Sequence, residues 1–124
     1  MSTRSAIIAK IGEGYVGVYC HCDGYLDGVG RTLAQHYTAD EKIKELLELG
    51  DMSELAERIS PPEGAKHSFD HRHPGVTVAY QRDRGETSPP TKGRSVRSVA
   101  SRIGHDGHVY VWEGGKWTHN GVEI

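Results

Sequence analysis

Residues 108–120 read HVYVWEGGKWTHN, and the two glycines near their centre decide how the chain is built. A Gly-Gly pair takes the positive φ angles of a two-residue hairpin turn without steric cost. Strands over 108–112 and 116–120 therefore flank Gly114-Gly115. That register sets Trp112 opposite Trp117 and Tyr110 opposite His119, all on one face. The outer edge of this hairpin is free to pair with a second copy of the chain, so a homodimer is one expectation.

Working outward, the same alternation recurs at the start of the chain. Residues 5–11 alternate through Ile7, Ala9 and Ile11, Gly12-Glu13-Gly14 supplies a turn, and residues 15–22 form a second strand. Val16, Val18, Cys20 and Cys22 then share one face, with Tyr15, Tyr19 and His21 on the other. Between the hairpins the period changes to that of helices. Residues 29–36 fit a short helix. Thr38 and Glu41 form a capping box for a helix whose apolar face is Ile43, Leu46, Leu47 and Leu49, ended by Gly50. Asp51 and Glu54 repeat the pattern for a helix over 52–59, stopped by Pro61-Pro62. Residues 63–75 are irregular, 76–81 alternate as a strand, and 86–93, with Pro89-Pro90, are expected to be a mobile loop. A last helix over 95–103 carries Val96, Val99, Ala100 and Ile103 on one stripe and ends at Gly104. The expected architecture is α+β: one domain over 1–124, with an antiparallel sheet of about four or five strands and helices packed on one face.

The 124 residues carry a formal net charge of −2, which gives no global basic field for nucleic acid. The charge is segregated along the chain. Residues 39–63 hold eight acids against three bases, and residues 82–102 hold six bases against two acids. A docking surface for a charged macromolecule is one reading, and two solvated faces of opposite sign is the other. The two cysteines, Cys20 and Cys22, lie too close in sequence for an ordinary structural disulfide. The first ten residues lack the apolar run of a signal peptide, and no stretch approaches a membrane span. The expected compartment is the cytoplasm.

Three clusters carry chemical potential. Cys20-His21-Cys22-Asp23 offers thiolate and imidazole, but a strand aims both cysteines into the core and His21 away, which suits packing better than zinc. His67, Asp70, His71 and His73 are the candidate metal ligands, for zinc or another transition metal, or a candidate acid/base set; a polar surface loop is the plainer reading. The face of Tyr110, Trp112, Trp117 and His119 is core packing, a partner interface or a base-stacking platform. No dinucleotide fingerprint, phosphate loop or nucleophile elbow is present, and no cofactor is required by any motif.

Met1 to Ser5 and the run Tyr19-Cys20-His21-Cys22-Asp23-Gly24-Tyr25, followed by Gly28-Val29-Gly30 and His36-Tyr37, resemble a group of small proteins encoded by phages and other bacterial mobile elements. In that group the run usually reads Tyr-Cys-His-Trp-Asp-Gly-Tyr, so this chain departs from it at Cys22. A position that is elsewhere Trp is a packing position, which argues against a Cys-x-Cys metal or redox motif. The resemblance covers roughly the first half of the chain. It implies a context and no catalytic residues. Accessory proteins of this kind often inhibit host machinery by stoichiometric binding, anti-CRISPR and other anti-defence proteins among them.

The leading functional expectation is thus an accessory protein that binds a host protein complex such as a CRISPR effector, more readily than an enzyme. Its contact residues would be Asp40, Glu41, Glu45, Glu48, Glu54 and Glu57, with Tyr110, Trp112 and Trp117. Two alternatives stand beside it. One is a metal-dependent or acid/base enzyme built on His21 and the 67–73 cluster. The other is a nucleic-acid binder using Lys92, Arg94, Arg97 and Arg102 beside the aromatic hairpin.

Overall fold

A computed structural model describes residues 3–104 and 107–124. It is α+β. Among the described residues one mixed sheet gathers eight strands, mostly antiparallel, with four α-helices against it. The strands are β1 (Ser5–Ile11), β2 (Gly14–Cys20), β3 (Met52–Glu54), β4 (Val78–Ala79), β5 (Thr91–Gly93), β6 (Val109–Glu113), β7 (Lys116–His119) and β8 (Val122–Glu123). Their order is β4-β3-β2-β1-β6-β7-β8, and β5 pairs with β2 outside this path. Strand β1 is the centre. It runs antiparallel to β2 and parallel to β6. Its residues Ala6, Ile7, Ile8 and Ala9 are all buried, as befits a strand covered on both faces.

The helices are α1 (Arg31–His36), α2 (Asp40–Glu48), α3 (Tyr80–Arg84) and α4 (Val96–Ile103). A π-helical turn at Leu26–Gly30 leads into α1. The π-turn, α1 and α2 cover one face of the sheet, where Val29, Leu33, Tyr37, Ile43, Leu46 and Leu47 pack on Ile7, Val18, Tyr110, Trp112 and Trp117. The opposite face carries α4, with Val99 and Ala100 on Ala6 and Ile8. Helices therefore lie on both faces, not one, and the sheet is nearly twice the expected size.

Both hairpins take the expected register. Ile11 pairs with Gly14, and Trp112 and Tyr110 meet Trp117 and His119. Gly114 and Gly115 have φ of 66° and 79°, so both turn positions need the left-handed region that glycine enters freely. A third strand follows. Asn120 and Gly121 make a second tight turn with positive φ, and β8 pairs with β7. The edge expected to be open at β7 is thus covered, and the exposed edge is the two-residue β8.

Helix α2 forms where the apolar period places it, but Thr38 is not its cap. The N-cap is Ala39, which has no side chain to offer. In α4, Ser95 caps the Ser98 amide at 3.1 Å, and Gly104 ends the helix in the left-handed region. Residues 52–59 are not helical. Met52 pairs with Cys20, and the Met52 and Ser53 carbonyls accept from the His21 and Cys22 amides. Strand pairing with β2 outweighs a local capping pattern worth about 1 kcal/mol. The strand expected over 76–81 shrinks to Val78–Ala79, because Asp83 takes the Ala79 amide at 2.8 Å and the chain turns into α3. Segment 86–93 is anchored rather than loose. Ser88 donates to Asp51 at 2.7 Å, its amide donates to Gln81, and β5 pairs with β2.

Candidate functional site

The cysteine cluster resolves into packing. Cys20 is fully buried on β2, and burial pushes its thiol up to about 12, far from a reactive thiolate. Cys22 lies beyond the end of the strand and is partly exposed. His21 turns to the other side, where its Nδ1 meets the Tyr19 hydroxyl at 2.6 Å.

The histidine cluster is dispersed. His67 is buried, and its Nε2 lies 3.2 Å from Oδ2 of Asp83, whose side chain is equally inaccessible. The His73 amide donates to His67 Nδ1 at 3.0 Å, which places the ring proton on Nε2 and directs it at Asp83. Arg82 clamps the same carboxylate at 2.8 and 3.0 Å while donating to the carbonyls of Ile59 and Thr77. Burial alone would push the Asp83 carboxyl up. Arg82, the Ala79 amide and His67 outweigh that and hold it below the usual carboxylate range. This network fastens the irregular 59–77 segment to α3. Asp70 and His71, by contrast, are exposed to solvent. Of the candidate ligands, His67 is thus taken up by Asp83 and the His73 amide while Asp70 and His71 face solvent, and among the described residues no group of three or more His, Cys, Asp or Glu is placed to hold a metal. Asp83, which organises the segment, escaped the sequence reading because it lies outside the histidine run, just beyond the strand expected over 76–81.

The aromatic face is core, a correction to its candidacy as a contact surface. Tyr110, Trp112 and Trp117 are buried beneath the π-turn, α1 and α2, and each polar atom is satisfied. The Tyr110 hydroxyl donates to the Gly24 carbonyl, Trp117 Nε1 to the Tyr37 carbonyl and Trp112 Nε1 to Asp40, each at 2.7 Å. The two indoles pack with centroids 5.4 Å apart. Beside them His108 Nδ1 and His119 Nε2 share a hydrogen bond at 2.9 Å, and His119 also lies against Tyr110. Burial first, then the charge of His108, holds His119 below its ordinary value.

The acidic candidates divide into two kinds. Asp40 holds Trp112, Glu54 pairs with Arg72 at 3.1 Å, and Glu57 faces His36 at 3.8 Å. Glu41, Glu45 and Glu48 are different. They are exposed on α2, spaced four and three residues apart, so they form one stripe, and they have no partner among the described residues. Of the basic candidates, Arg97 and Arg102 lie across the sheet on α4, whereas Lys92 is registered with Val16, which packs on the same face as α2. Lys92, Arg94, Arg97 and Arg102 are exposed around β5 and α4. The Arg102 guanidinium donates to the Lys92 carbonyl. The sheet therefore separates an acidic helix from a basic one.

The loop leading into α1 was not singled out as a contact by sequence. Asp23 adopts φ 58°, and a Cβ on Gly28 would lie 2.2 Å from the Asp23 carbonyl oxygen, so only glycine fits there. This constrained loop projects Tyr25 and Leu26 into solvent. The signal available was the pair of Asp-Gly dipeptides, Asp23-Gly24 and Asp27-Gly28, that bracket Tyr25 and Leu26.

Among the described residues no helix is long and apolar enough to cross a membrane. No family model, curated protein or solved structure matches the chain.

Proposed function

We propose that this protein works by stoichiometric binding to a protein complex, as an accessory factor of a phage or mobile element acting on a host assembly such as a CRISPR effector. The observation that carries the reading is the stripe Glu41, Glu45 and Glu48 on α2. Like charges four residues apart on a helix destabilise it by about 0.2–0.5 kcal/mol. Here they lie on a helix fixed by Ile43, Leu46 and Leu47, with no internal contact to account for them. A rigid row of carboxylates complements the basic channel of a nucleic-acid-handling complex, where such complementarity sets on-rate and specificity. Tyr25 and Leu26, exposed where the chain enters the π-turn, offer apolar anchorage.

The test is capture from lysate of a bacterial host carrying CRISPR and other defence systems, with and without nuclease. A protein complex retained after nuclease, and lost with Glu41→Lys/Glu45→Lys/Glu48→Lys, is the expected result. Retention by the charge-reversed variant would overturn the acidic-face mechanism. Loss on nuclease treatment would instead favour direct nucleic-acid binding through Lys92, Arg94, Arg97 and Arg102.

A further inference from the structure

The face of the sheet under α4 is only partly covered. Helix α4 packs mainly on β1, β2 and β5 and leaves the strip over β6 and β7 open. That strip is a groove of about 910 Å³, within the ~300–1,000 Å³ of ordinary small-ligand sites. Its floor is aliphatic: Val96 and Ala100 from α4, Val109 and Val111 from β6. Its polar groups are few. Arg97 and Ser101 line one wall and Thr118 the other, and none of these three side chains has a partner among the described residues. The remaining polar linings are already engaged. Glu113 accepts from the Tyr15 hydroxyl at 2.9 Å and pairs with Lys10 at 3.6 Å. Asn120 is held by the Gly107 carbonyl and the Val109 amide.

We propose that this groove binds a small apolar monoanion, a carboxylate with an aliphatic or aryl body, its carboxylate on Arg97 and its body over Val96, Ala100, Val109 and Val111. A guanidinium beside an apolar floor selects that combination, since Arg takes a carboxylate through two parallel hydrogen bonds. Arg97 lies in the first turn of α4, where the helix dipole also favours negative charge. The acidic stripe of α2 lies across the sheet, away from this groove. Nucleic acid fits this face less well. Strand-bound bases need aromatic platforms, and the hairpin turns its aromatics to the opposite face, leaving valines here. The site uses no residue of the acidic surface, so it stands or falls separately from the proposed protein partner.

The experiment is a titration of the isotope-labelled protein with octanoate, read by amide chemical shifts, beside the uncharged isostere octanamide. Saturable shifts at Val96, Ala100, Val109 and Val111 are expected, with octanamide at least about ten-fold weaker. Arg97→Gln should bring octanoate down to the octanamide level, and Arg97→Lys should restore part of the difference. Arg97 is exposed, so both variants fold, and their unperturbed amide spectra check this. Equal affinity for octanoate and octanamide, shifts centred outside the groove, or no saturable shift up to about 10 mM would each overturn the proposal.

Discussion

The two faces of the sheet are built on different principles. The face under the π-turn, α1 and α2 is finished: four large aromatics, Tyr37, Tyr110, Trp112 and Trp117, fill it, each with its polar side-chain atom bonded. The face under α4 is spare. Ala6, Ile8, Val99 and Ala100 form a small cluster, and three valines beside it stay half covered. Stability is concentrated on the first face and open apolar surface on the second. The charge follows the same division, acidic over the full core and basic over the thin one.

The largest expected effect tests that division directly. Trp117→Ala should cost about 3–5 kcal/mol in urea unfolding, from the lost aromatic volume and the cavity beside Trp112, while Val99→Ala on the thin face should cost about half as much or less. Equal losses would break the contrast between the faces. Next in size is the network that belongs to neither layer. Asp83→Ala should cost about 2–3 kcal/mol, because it strips the partner from His67, from Arg82 and from the Ala79 amide at once. The same carboxyl titrates below its ordinary value when folded, so its contribution is present above about pH 4 and is lost as pH falls below that. An acid unfolding midpoint that did not shift between wild type and Asp83→Asn would contradict this. The smallest effect sharpens the description of the full face. His119 is held below its ordinary value in the fold, so the unfolded chain binds the proton more readily. Its stabilising contribution is complete above the ordinary histidine value of about 6.5 and declines as pH falls toward the lower folded value. The urea midpoint should therefore drop between pH 7.5 and 5.5 in wild type, and drop less in His119→Phe.

Much of this is legible in the sequence wherever one segment's pattern meets one local rule. Gly114-Gly115 between alternating strands specifies its turn and register, and the stripe Val96, Val99, Ala100 and Ile103 specifies α4. What the pattern does not reveal is which face a helix takes, because an amphipathic stripe is equally satisfied by either side of a sheet. Segment 52–59 carries a capping signal that loses to pairing with β2, a partner so distant in sequence (Cys20 with Met52) that no window contains it. Asn120-Gly121 was a legible turn signal of the strongest short-range kind, and it accounts for the extra strand β8. Of the candidate site, the acidic residues of α2 and the basic residues near α4 were legible as charge. The roles of Tyr110, Trp112 and Trp117 were open between surface and core, since alternation states which residues share a face and not what covers it.

Strand β1 has one neighbour from the start of the chain and the other from its end. Its partner β2 is complete within the first twenty residues, whereas β6 begins at Val109. During synthesis the central strand must therefore wait, half paired, until residues 109–113 have left the ribosome. Its Ala-Ile-Ile-Ala run stays exposed along that side for the interval. A nascent chain stopped before the final hairpin would present an open, apolar strand edge, the kind of surface that chaperones recognise and that aggregates recruit.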